Sequence, residues 1–245
     1  MAELMKLKGK VALVTGGAVR IGRAISESLA EHGVDVCVHY RNSEREAKEL
    51  KRILQDKGSR VFLLKADLSS EAECDLLVQK AREAAGGLDI LVNNASVFTK
   101  QTINEATTSA IESEFRTNLY APMHLMRAFA GTCSRGKIVN LLDRRITSLD
   151  HTCVPYLLSK KALAEVTKLA ALEWAPGITV NGVAPGAVLP PPGKGEDYMK
   201  DFAGFVPLGR QVTPGEVADA VLFVLRSDAL TGQIIFVDGG QHMKS

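Results

Sequence analysis

Short, mostly apolar runs rich in β-branched residues recur along this chain and stop at glycines or polar residues. They are Lys10 to Thr15, Asp35 to Tyr40, Arg60 to Ala66, Leu88 to Val92, Lys137 to Leu142, Ile178 to Val183 and Ile234 to Val237. Runs of that length without strict alternation fit strands buried on both faces, the habit of parallel sheets. Between them lie stretches with helical spacing. Ile21, Ala24, Ile25, Leu29 and Ala30 gather on or near one helix face, Glu44 to Lys57 is a charged amphipathic helix closed by Gly58, and Ser70 to about Ala85 stops at Gly86-Gly87. Ile103 to about Ser134 reads as one long helical region, a further helix carries Tyr156 and Lys160, and another spans Pro214 to Arg226. Strand and helix alternate, so the pattern predicts an α/β fold: one Rossmann-type domain over 1–245, a doubly wound parallel sheet of about seven strands with helices on both faces. Leu189 to Phe205 departs from the pattern. Its Pro and Gly content and its length predict a substrate lid at about 187–206, with some helix near Asp197 to Phe202.

Composition narrows the class. A hydrophobic content of 46% over 245 residues suffices for one large core. Thirty basic against 28 acidic residues, no long basic run, four Tyr and one Trp argue against nucleic acid as a partner. No apolar stretch reaches membrane-spanning length and Met1 to Lys10 lacks the apolar core of a signal peptide, so a soluble cytoplasmic protein is expected. Cys37, Cys74, Cys133 and Cys153 show no paired spacing and the five histidines no ligand spacing; structural thiols and no metal are expected.

Three places carry candidate chemistry. The first run leads into Gly16-Gly17-Ala18-Val19-Arg20-Ile21-Gly22 and then a helix. Strand, glycine turn and helix make a dinucleotide site, because small residues admit the pyrophosphate and the helix N-terminus offers unpaired N–H donors. Gly16, Arg20, Ile21 and Gly22 are its candidate contacts. The second run ends in Tyr40-Arg41-Asn42-Ser43, with no carboxylate before Glu44. A 2′-phosphate wants cations and hydroxyl donors where a free ribose wants an acid, so the cofactor is read as NADPH, held by Arg41 with Asn42 and Ser43 in support. Asp67 and Leu68, at the end of the third run, face the adenine edge, and Asn94, Ala95 and Ser96 follow the fourth. The third place is Tyr156 and Lys160, four residues apart on one helix face. A free phenol has a pKa of ~10, so useful proton transfer near neutral pH asks for a drop of roughly two to three units; a neighbouring ammonium and an oxidised nicotinamide both act that way. Asn118, polar within a packed helical pattern, either bonds backbone or serves a water relay.

Together these residues resemble the short-chain dehydrogenase/reductase family over essentially the whole chain. The glycine loop, Asn93-Asn94-Ala95, Asn118, Tyr156-x-x-x-Lys160, Pro185-Gly186 and Asp238-Gly239-Gly240 occur in the family's order. The resemblance implies Tyr156 as general acid, Lys160 as its modulator and nicotinamide-ribose ligand, Asn118 in the proton relay, Pro185 and Gly186 at the cofactor, and a homotetramer. Two departures point to a branch. The family's serine, thirteen residues before the tyrosine, is Asp143, and the middle glycine of the cofactor loop is Arg20. Pteridine reductases and dihydromonapterin reductases show both. His39-Tyr40-Arg41-Asn42-Ser43 and Ser96 with Phe98 agree with them, which makes Tyr40 a cofactor contact. In that branch a flat pterin would lie between the nicotinamide and Phe98, with Ser96 and Arg20 meeting its heteroatoms and Asp143 beside Tyr156, holding a proton or orienting a proton-bearing water. The alternative is a carbonyl reductase on the same scaffold, acting on a 3-oxoacyl thioester or a sugar.

Overall fold

A residue in a parallel strand sends its side chain to one face and its neighbour to the other, so a strand covered on both sides must be apolar throughout. β1 (Val11–Val14) meets that condition: Ala12 and Val14 join one core cluster, Leu13 the opposite one, all fully buried. β2 (Asp35–Tyr40) divides Val36 and Val38 from Cys37 in the same way, and β4 (Ile90–Asn93) divides Ile90 and Val92 from Leu91. With β3 (Val61–Lys65), β5 (Gly136–Leu141), β6 (Ile178–Pro185) and β7 (Ile234–Val237) they build one parallel sheet in the order 3-2-1-4-5-6-7. The computed structural model describes residues 7–190 and 206–244.

Helices cover both faces. On one lie α1 (Arg20–Glu31), α2 (Glu44–Asp56) and α7 (Pro214–Arg226), which bring Ile25, Leu29, Leu50, Leu54, Val221 and Leu225 to the sheet. On the other, α3 (Glu71–Ala85) and α5 (Ala121–Thr132) supply Leu77, Val78, Leu125, Met126 and Phe129. Local signals set their ends. The Ser70 hydroxyl caps α3 at the Glu73 N–H and Gly86 closes it at φ 80°, while Thr213 and Glu216 cap α7 reciprocally with Pro214 in its first turn. The sheet order has its switch between β1 and β4, and ligands of open α/β sheets bind at the carboxyl ends there.

The long helical region expected over Ile103 to Ser134 holds from Thr108 to Thr132 and is corrected at its start. Glu105 accepts from the Thr102 N–H and hydroxyl and holds residues 102–106 in a turn, so α4 (Thr108–Phe115) starts only after the Thr107 cap. A π-helical turn at Arg116–Tyr120 then joins α4 to α5, and the Ala121 N–H reaches back to the Arg116 carbonyl. β6 runs two residues past the expected Val183, because Ala184 and Pro185 still pair with Phe236 and Val237. β4 is displaced from Leu88–Val92 toward Asn93, in register with Asn140. α6 (Val154–Glu173) carries Tyr156 and Lys160 as expected. The helix expected near Asp197 to Phe202, and all but the ends of the lid expected at 187–206, lie outside the described residues.

α1 passes so close to the β1 loop that a Cβ on Gly22 would collide with the Gly16 carbonyl and the Asn94 amide. Gly22→Ala should therefore destabilise by about 1–3 kcal/mol. Gly131→Ala, in α5 with open space around it, should be neutral or stabilise by up to about 1 kcal/mol. Urea midpoints of the two variants against the parent check both signs.

Candidate active site

Where β1 and β4 part company, backbone groups lose their sheet partners and side chains replace them. The Thr15 hydroxyl accepts from the N–H groups of Asn94 (2.9 Å) and Ala95 (3.0 Å), and Asn94 Nδ2 donates to the carbonyls of Thr15 (2.8 Å) and Gly16 (3.2 Å). His39, buried at the end of β2, accepts the Gly16 N–H at Nδ1 (3.1 Å), so Nε2 carries the proton and donates to the Ala66 carbonyl (3.1 Å). Burial holds its pKa below the ordinary imidazole value, as that neutral form requires.

A cleft of about 410 Å³ opens over this edge. Gly16, Arg20, Ile21 and Gly22 line it from the β1 loop, Arg41, Asp67 and Leu68 from beyond β2 and β3, and Asn94, Ala95 and Ser96 from beyond β4; Phe98 and Tyr156 share its wall. Asn42 borders an adjoining hollow with Arg41 and Asp67. Tyr40, Ser43, Pro185 and Gly186, four of the expected cofactor residues, stand at or just past strand ends but do not line the cleft. Ser43 opens α2, and Gly186 donates to the Val237 carbonyl. Arg41 sits 3.8 Å from Asp67, whose pKa is lowered chiefly by the Ser69 backbone N–H.

Arg20 has φ 55° and is the one non-glycine with positive φ among the described residues. An L side chain pays about 1–2 kcal/mol there, and a residue with a free choice would be glycine. Its guanidinium is exposed and lies 3.5 Å from the Leu189 carbonyl. α1 begins with no side-chain cap at Val19 and no acid in its first turn, so its leading N–H groups point into the cleft unpaired by any side chain.

The expected catalytic residues come together on the other side. The Tyr156 hydroxyl donates to Asp143 Oδ2 at 2.8 Å. Asp143 stands two residues past β5 and caps a 3₁₀ turn, Arg144–Thr147, by accepting the Arg145 N–H at Oδ1 (2.8 Å); Arg145 Nη1 meets Oδ2 (3.1 Å) while its Nε holds Asp150 (3.1 Å). Phe98 packs edge to face on Tyr156 with ring centroids 4.8 Å apart, and the Arg145 guanidinium lies 5.8 Å from the Phe98 ring centre. Lys160 is buried, donates to the Leu141 carbonyl (2.8 Å), and sits 6.0 Å from the centre of the Tyr156 ring. Asn118, in the π turn, joins Ser96 through its Oδ1 (2.9 Å). Asp143 meets the cleft through the Tyr156 hydroxyl, Asn118 through Ser96, and Lys160 lies buried beside the Tyr156 ring.

The protein part of the site does not lower the tyrosine as expected. Burial first, and the Asp143 carboxylate second, raise Tyr156 well above an ordinary phenol. Lys160 is pushed down to about 8 by burial, against the pull of Asp143 and Glu114. Four residues with structural or electrostatic parts here went unread in the sequence: Thr15, His39, Arg145 and Glu114. Arg145 lies two places after Asp143 and Glu114 one helical turn before Asn118, which were the available signals.

The enoyl-(acyl carrier protein) reductase family model matches residues 17–242. The FolM alternative dihydrofolate reductase 1 from Brucella canis, in a crystal structure with NADP, is 33% identical with a TM-score of 0.91, over 98% of this chain and 96% of that one. A blue fluorescent protein from a metagenomic library, in complex with NADPH, is 31% identical with a TM-score of 0.90, over 97% and 99%. NADPH-dependent aldehyde reductase 1, chloroplastic, from Arabidopsis thaliana is 33% identical over 250 residues, covering 96% of this chain and 87% of the relative.

Arg20→Gly should raise stability by about 1 kcal/mol by removing the left-handed strain. A lower melting temperature instead would mean that the guanidinium contacts outweigh it. For Lys160 the unfolded chain binds more protons than the folded one between about 8 and 10.5, so its contribution to stability improves as pH rises through that window. Relative to Lys160→Met, the parent should gain up to about 3 kcal/mol across it, read from urea unfolding at successive pH values.

Proposed function

This chain belongs to the short-chain dehydrogenase/reductase family and is an oxidoreductase, and we propose that it uses NADPH to reduce a pterin. The observation that carries the reading is the 2.8 Å hydrogen bond from Tyr156 to Asp143 at the place where most of the family has serine. The Brucella relative, named a dihydrofolate reductase, supports it.

The chain's residues fit a phosphorylated dinucleotide. The uncapped start of α1 offers backbone donors to a pyrophosphate, Gly22 lets that helix start close against the β1 loop, and the cation at the end of β2 is Arg41 where a carboxylate would repel a 2′-phosphate. Asn94, Ala95 and Ser96 would border the nicotinamide end. Bound there, NADPH supplies the hydride. Tyr156 supplies the proton. Its raised pKa keeps the phenol protonated at neutral pH, which reduction requires, and Lys160 stabilises the phenolate that forms when the proton leaves for a ring nitrogen. Asp143, anchored twice by Arg145, holds the hydroxyl in place until a substrate nitrogen takes over the hydrogen bond, and for a fully oxidised pterin it orients the second proton donor. Phe98 offers a face to the flat ring beside Tyr156, and Arg20 and Ser96 meet its heteroatoms.

Two coarser expectations join the proposal. Leu158, Leu169 and Leu172 are exposed on one side of α6, which suits burial in a homotetramer. All four cysteines are unpaired and buried, in keeping with a reducing cytoplasm, and among the described residues no helix is long and apolar enough to cross a membrane.

NADPH oxidation with dihydrobiopterin, dihydrofolate and an acetoacetyl thioester, run side by side, tests the reading. Turnover of a pterin is expected, with Tyr156→Phe losing about 100-fold or more in kcat. Asp143→Asn should lose about tenfold. Full pterin reduction by Asp143→Asn would remove the role given to the carboxylate, and turnover of the thioester alone would make the enzyme a carbonyl reductase, as its aldehyde-reducing relative suggests.

A further inference from the structure

Glu114 is a carboxyl group with 1% exposure inside α4, and the mechanism above makes no use of it. Its Oε2 accepts a 2.7 Å hydrogen bond from Asn118 Nδ2, the Thr99 hydroxyl and N–H also act on the carboxyl, and burial raises its pKa. A leucine of similar volume would fill the same space, so packing alone does not explain a carboxyl here.

Its effect is on direction. Asn118 Oδ1 accepts the Val97 N–H and the Ser96 hydroxyl, both at 2.9 Å, while Nδ2 faces three acceptors: Glu114 Oε2 at 2.7 Å, the Val97 carbonyl at 3.0 Å and Ser159 Oγ at 3.1 Å. Ser159 spends its own proton on the Tyr156 carbonyl, so toward Asn118 it only accepts. Turning the amide over would set its oxygen against a carboxylate, a carbonyl and a lone pair. The shortest of those contacts is Glu114, which adds to the hold that the Val97 N–H and carbonyl already have on the amide.

The consequence appears in the cleft. Ser96 has one hydroxyl proton, and both groups within its reach, Asn118 Oδ1 and the Val97 carbonyl (3.3 Å), are acceptors. Its proton is therefore turned inward, and the exposed side of the oxygen presents lone pairs. We propose that Glu114 is a positioning residue that fixes the hydrogen-bond polarity of this wall through Asn118, so that Ser96 receives ligand N–H groups and turns away ligand acceptors. The assignment rests on the reading in which Ser96 meets the substrate ring and the nicotinamide end of the cofactor. Aminopteridine rings and carboxamides carry such N–H groups; a bare ketone does not.

The test is a double-mutant cycle with NADPH and dihydrobiopterin: Glu114→Leu and Glu114→Gln, each alone and in a Ser96→Ala background. Glu114→Leu should raise the dihydrobiopterin KM about tenfold with a smaller change in kcat, and Glu114→Gln, which keeps an acceptor, should return it to within about threefold of the parent. With Ser96→Ala already present, Glu114→Leu should add nothing to KM. A KM penalty that persists without the serine, or a loss confined to kcat and melting temperature, overturns the proposal and leaves Glu114 a packing residue. If the parent turns over no pterin, the functional reading fails separately. The cycle is then read on the Kd for NADPH, where the same Ser96-dependent loss is expected and an unchanged Kd refutes the role of Glu114.

Discussion

Two parallel strands that lie side by side but hand the chain to opposite halves of a sheet cannot stay hydrogen-bonded past their ends. β1 and β4 are such a pair, and the tie between Thr15 and Asn94 resolves the conflict. Everything around the cleft follows from it. The tie holds the glycine loop against the β4 loop, which leaves no room for a side chain at Gly22 and fixes where α1 begins. His39 carries the same constraint outward, linking the loop to the end of β3 through its two ring nitrogens. The apolar clusters on both faces make the sheet rigid; these few polar contacts decide the shape of its edge.

Opposed titration is the second organising feature. Burial drives the phenol of Tyr156 up and the ammonium of Lys160 down, each toward its neutral form, and both residues sit on α6 within one turn. Carboxylates temper this unequally. Asp143 touches Tyr156 directly and is neutralised by Arg145, whereas Lys160 feels Asp143 and Glu114 only through space. The site can therefore keep an acid protonated while a cation waits beside it for the anion that proton loss creates.

Much of this was legible in the residues themselves. Both-face burial wrote the inner strands as apolar runs, the half-buried edge strands β3 and β7 kept the same apolar residue types, and turn chemistry at Gly58, Gly86 and Pro214 marked helix ends because those signals are local. Tyr156 and Lys160 were visible because helical spacing alone puts them on one face. Arg145 was hidden because its partners, Asp143, Asp150 and the Phe98 ring, meet only once the 3₁₀ turn forms. Likewise Tyr40, Ser43, Pro185 and Gly186 follow the family's order but are not among the residues that line the cleft, and order along a chain does not by itself state what a side chain meets. The π turn inside the expected long helical region escaped notice for a different reason: it leaves the apolar residues on either side of it looking periodic.

That π turn has an evolutionary side. Its five residues, Arg116–Tyr120, hold one more residue than the α-helical path between α4 and α5 would need, which offsets the two helices by about 100°. Phase on one side delivers Asn118 to Val97 and Ser96; phase on the other turns Leu125, Met126 and Phe129 toward the sheet. A one-residue deletion could not be absorbed at either end without swinging a polar anchor or an apolar stripe out of place. Exposed side chains can change along this stretch, but its residue count is pinned from both directions.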